Sequence, residues 1–149
     1  TYGCYSALDA GRFAGDLSAS LSCASDKLGE ALDALFEQFE RIRAEPAPAD
    51  ELQQARDYLT GAFPNAGAST SGLCGMLAGR WLYGLPDDTW ATYTERVEAV
   101  AADEVLAAAQ ALVRPEQAIV VVVGEADVLE PVCARWGEVE RVPASRIPG

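Results

Sequence analysis

The chain of 149 residues contains no histidine. That absence removes Ser–His and Cys–His nucleophile pairs, the commonest general base, and every mixed Cys/His zinc site. Basic side chains are also scarce. Eleven Lys and Arg stand against 23 Asp and Glu, a formal net charge of −12. Nucleic-acid binding needs clustered cations to displace counterions, so the balance argues against it. It favours solubility and, more weakly, cationic peptides. No apolar run approaches the roughly 20 residues of a membrane-spanning helix, and no basic-then-apolar leader opens the sequence. Walker and Rossmann glycine loops are missing. Gly72-Leu73-Cys74-Gly75 lies in helix-like sequence and has the wrong spacing to cradle a phosphate.

Cys4, Cys23, Cys74 and Cys133 are scattered, with no Cys-x-x-Cys pair. They read as small, half-buried apolar residues rather than as metal ligands or a disulfide framework. Carboxylates gather at Asp87/Asp88, Asp103/Glu104 and Glu37/Glu40. Each pair reads as a helix start or a solvated face.

Half of the residues are hydrophobic, enough for a core in one soluble globular domain or a part of one. Thr1-Tyr2-Gly3 carries no initiator Met and opens directly on strand-like sequence, so a fragment of a longer protein is expected. Tyr2 to Leu8 predicts a strand, Asp9 to Arg12 a turn, and Phe13 to Leu21 a second strand. In that second strand Phe13, Leu17, Ala19 and Leu21 alternate with polar residues. Leu28, Ala31, Leu32, Leu35, Phe36, Phe39 and Ile42 then fall on one helical stripe, with Ser25 as candidate N-cap. Glu45-Pro46-Ala47-Pro48 ends that helix.

A second helix carries Leu52, Ala55, Leu59 and Phe63 until Phe63-Pro64-Asn65. A third, about Ala68 to Tyr83, buries Leu73, Met76, Leu77 and Trp81 and stops at Gly84. Asp88 caps a fourth through Trp90, Tyr93 and Val97. A fifth carries Val105 to Val113. The β-branched run Ala118–Val123 predicts a strand near the sheet centre, covered on both faces. Asp127-Val128-Leu129-Glu130 has the form of a capping box opening a last helix that Gly137 stops. Glu138 to Val142 predicts a short final strand. The fold class expected is α+β: an antiparallel sheet, made of the hairpin plus later strands, with several helices packed on one face. No linker divides the sequence, so residues 1–149 read as a single partial domain.

Thr1-Tyr2-Gly3 before a strand, Gly15 in the next strand, a long amphipathic helix and Glu51-Leu52 with Ala55 form an ordered series. It continues with Gly84-Leu85-Pro86-Asp87, Val100 through Val105, Pro115 and Val122-Val123-Gly124-Glu125. In order and spacing this series resembles the second half of a domain in the M16 zinc metallopeptidases, the pitrilysin, insulinase and mitochondrial processing peptidase family. Two departures are small. Glu125 stands where Asp is commoner, and Ala101-Ala102 stands where a Thr usually caps a helix. The missing cap costs on the order of 1 kcal/mol.

The resemblance implies a division of labour. In this family one domain holds zinc through His-x-x-Glu-His, and a second, non-zinc domain closes on it like a clamshell around a peptide. A sequence without histidine matches the C-terminal part of the non-zinc domain, in a bacterial-type enzyme. The expected function is the substrate-binding, chamber-forming part of a peptide-cleaving zinc hydrolase, inactive by itself. No cofactor is expected in this chain, and zinc is expected in the complete enzyme. The expected partners are a zinc-binding M16 domain or subunit and a peptide, with no nucleic acid and no membrane span. Tyr2, in its Thr-Tyr-Gly setting, matches a family Tyr that binds substrate near the scissile bond. That Tyr follows an Arg by seven residues, and the Arg would precede residue 1. By residue type alone a cross-strand packing aromatic like Tyr5 is the favoured reading of Tyr2, and only the resemblance sets the substrate role level with it. Two alternatives stand beside this reading: a non-catalytic M16-like structural or assembly subunit, and an unrelated α+β binding module.

Overall fold

Period-two sequence at one end of the chain and 3.6-period sequence through the middle give two strands and six α-helices among the described residues. The computed structural model describes residues 3–11, 13 and 15–146. The strands are β1 (Gly3–Ala10) and β2 (Gly15–Ser22). The helices are α1 (Leu28–Ala44), α2 (Ala49–Ala66), α3 (Thr70–Tyr83), α4 (Tyr93–Ala99), α5 (Ala102–Leu112) and α6 (Ala126–Cys133). The α+β class holds. The chain divides into two compact units, Thr1–Glu40 with Arg114–Gly149, and Arg41–Val113.

In the first unit β1 and β2 pair antiparallel, from Gly3 opposite Ser22 to Ala10 opposite Gly15. β1 runs on through Asp9 and Ala10, so these two residues are strand rather than turn. Phe13 falls outside β2 and is exposed. Gly15 is needed for close approach: a Cβ there would run into the Asp9 carbonyl oxygen across the pair. Ala19 and Leu21 share the less exposed face of β2, as the alternation predicts, but Leu17 is 44% exposed and neither strand carries a buried residue.

The core of this unit is Leu28 and Leu32 from α1 with Leu129 from α6. Cys23, Val122, Val132, Cys133 and Trp136 pack around it. Arg135 spans the same two helical segments. Its Nη2 lies 3.2 Å from Asp33 Oδ2 and its guanidinium lies 4.7 Å from the Trp136 ring centroid.

The sheet requires the main correction. The expected strands Ala118–Val123 and Glu138–Val142 do not form, and the sheet among the described residues has two strands only. Ile119, Val121 and Val123 are 90%, 82% and 90% exposed, while Val122 turns onto the Leu28/Leu32/Leu129 cluster. The run has strand propensity, yet a strand also needs a neighbouring ladder. The ladder among the described residues pairs β1 with β2 alone and does not take in residues 118–123. The expected packing of helices over one face of the hairpin fails with it, since both of its faces are largely exposed.

In the second unit several stops differ from expectation. Helix α2 continues through Pro64 to Ala66, because a proline in the last turn deletes a single helical hydrogen bond. Pro48 precedes α2 as its N-cap. Ser69 caps α3, accepting from the Gly72 N–H at 3.0 Å. Gly84 ends α3 at φ 63°, and the following Leu85 N–H donates to the Arg80 carbonyl at 3.0 Å, as the Gly-Leu-Pro sequence predicts. The expected burial along α3 does not follow: Leu73, Leu77 and Trp81 are exposed.

Residues 87–92 form turns, so α4 starts at Tyr93 and Asp88 does not cap it. Phe63 of α2 instead stacks on Tyr93 with ring centroids 4.2 Å apart, and Trp90 lies beside it at 6.2 Å. Two other expected caps are absent. Ala24, not Ser25, precedes the first helical turn, and Asp127 lies inside α6, where it pairs with Arg141.

Candidate functional site

The residue singled out for substrate contact is Tyr2, and it lies outside the described residues. Its described surroundings begin at Gly3, which pairs with Ser22, followed by Cys4 opposite Leu21 and Tyr5 opposite Ser20. This end of the hairpin leads directly into the core. One residue beyond Ser22, Cys23 packs against the Leu28/Leu32/Leu129 cluster. β1 therefore starts from the anchored end of the hairpin, and Leu8 near its other end is 65% exposed. Tyr5, the comparison for a packing role, is 73% exposed and has no aromatic partner among the described residues.

Each strand of the hairpin has one edge without a ladder partner among the described residues. Such an edge offers a row of backbone donors and acceptors to an incoming extended segment. Chemically, the hairpin can align a peptide backbone.

The other polar groups serve as supports. Asp87 pairs with Arg80 at 3.1 Å, and Glu104 accepts from the Ala101 N–H at 2.8 Å. The second bond is the glutamate half of a capping box, since Ala101 has no side-chain oxygen to supply the other half. Asp103 lies in the first turn of α5 and Glu37 on the exposed face of α1, as the sequence predicts. The Arg56 Nη2 donates to the Val100 carbonyl at 2.6 Å and ties α2 to the end of α4. The Thr89 hydroxyl, on a buried residue, donates to the Pro86 carbonyl at 2.8 Å. Sequence reading missed the Phe63–Tyr93–Trp90 cluster because Phe63 sits in a different predicted element from Trp90 and Tyr93. The only signal was that all three are aromatic.

Among the described residues no group of three or more His, Cys, Asp or Glu side chains is placed to hold a metal ion. Cys4 and Cys74 are exposed, Cys23 and Cys133 are half-buried, and all four are free thiols. The half-buried reading therefore fits two of the four. No helix among the described residues is long and apolar enough to cross a membrane.

Residues 1–59 match the family described as the Peptidase M16 inactive domain. The match takes in the hairpin, α1 and the first part of α2. No curated protein matches the chain. The matched stretch contains Tyr2, Gly15 and Glu51-Leu52 with Ala55, the first part of the series that carried the resemblance. Over residues 1–59, less than half of its length, the chain is thus similar to the M16 C-terminal-type domain described as the inactive domain of that family.

Proposed function

We propose that this chain is the non-zinc, substrate-binding and chamber-forming part of an M16-type zinc metallopeptidase that cleaves peptides. One observation supports this above the others: the match over residues 1–59 is to the inactive domain of the family, in a chain with no histidine. The zinc motif must then come from a partner M16 domain or subunit. When bound there, the metal supplies an activated water and polarises the scissile carbonyl. This chain's own residues do not suit that ion, because it offers no imidazole and its thiols are scattered. Its contribution is to bind and orient.

Two features would do this. The open edges of the hairpin fit strand addition by an extended peptide, which fixes the backbone through main-chain hydrogen bonds. Tyr2 would donate its hydroxyl proton in a hydrogen bond to the scissile carbonyl oxygen and strengthen that bond as negative charge develops. The net charge of −12 favours cationic peptides, as a long-range bias rather than a contact.

The test is a pair of substitutions in the complete enzyme. Tyr2→Phe removes one hydroxyl and keeps the ring. If Tyr2 acts on the carbonyl, turnover falls by roughly a hundred- to a thousandfold, the usual effect of a lost oxyanion donor, with melting temperature unchanged. If Tyr2 only packs, Tyr2→Phe cleaves at the wild-type rate while Tyr2→Ala loses stability. That second outcome would take Tyr2 out of the reaction and leave this chain as wall and scaffold of the peptidase only.

A further inference from the structure

We draw no further inference here: the strongest candidate, the exposed apolar face of Ile119, Val121 and Val123 on the unpaired segment between α5 and α6, has nothing in the structure to show what covers it.

Discussion

Arg41, near the end of α1, holds both carboxylate oxygens of Glu51, in the first turn of α2, with one guanidinium nitrogen at 2.5 and 2.6 Å. The two residues lie ten apart, across the Pro46-Ala47-Pro48 break that separates the helices. The pair therefore fixes a corner that proline chemistry creates. Glu51 also sits at the start of α2, where its negative charge is favourable to the helix dipole.

Both side chains are about half exposed, so the pair should contribute little to stability. Arg41→Met is expected to lower stability by no more than about 1 kcal/mol, and less in high salt. Urea denaturation at low and high ionic strength measures it. A loss of several kcal/mol that persists in molar salt would mean that the corner matters far more than an exposed ion pair can.

The contrast between Val121 and Val122 tests the corrected reading of the apolar run. Val122 packs on the Leu28/Leu32/Leu129 cluster while its neighbour is 82% exposed. Val122→Asp should cost about 1–3 kcal/mol through burial of a polar group without a partner. Val121→Asp should stay within about 0.5 kcal/mol, as for other surface changes. Equal and severe damage at both positions would show that the run is a strand covered on both faces after all.

Local signals were legible where they depend on neighbours in sequence. The α1 stripe, the Gly84 stop and the antiparallel hairpin follow from period and turn chemistry. The α+β class followed from them. What the sequence did not reveal depends on distant partners. The β-branched residues 119–123 have the composition of a central strand, but composition cannot supply the adjacent ladder. Leu73, Leu77 and Trp81 have helical spacing on α3, yet spacing does not say that anything lies against them, and they are exposed. Asp127 had the spacing of a helix cap and is instead held by Arg141, fourteen residues on. Within the candidate site, Tyr2 came from resemblance to a family and could not have come from residue type, since Tyr is common in strands.

Gly84 offers a clean backbone test. At φ 63° any Cβ is strained, and no other atom lies close enough to complicate the reading. Gly84→Ala should cost about 1–2 kcal/mol from the left-handed conformation alone. Chemical denaturation of the single mutant checks this. An unchanged or raised stability would mean that α3 ends in some other way.

Titration tests the first turn of α1. The hydrogen bond from Lys27 to Glu30, followed by the attraction of its charge, raises the Lys27 ammonium above the ordinary 10.5. A raised value means that the charged form is favoured by folding. The associated stability is present at neutral pH and lost as the pH climbs through the raised folded value. Lys27 is exposed, so the effect is small and is best followed by NMR titration of its side chain. Glu30→Gln should return the midpoint toward the ordinary value. A midpoint that Glu30→Gln leaves in place would remove the pair as the cause.

On the proposed function this chain completes a peptidase whose metal lies elsewhere. The most direct measurement is peptide cleavage by the chain alone, by a zinc-bearing M16 partner domain or subunit alone, and by the two together, with zinc determined on each sample. The expected result is no cleavage and well below one zinc per chain for this polypeptide, little cleavage by the partner alone, and zinc-dependent cleavage by the mixture that a chelator abolishes. Zinc bound stoichiometrically by this chain, or full cleavage by the partner without it, would contradict the account.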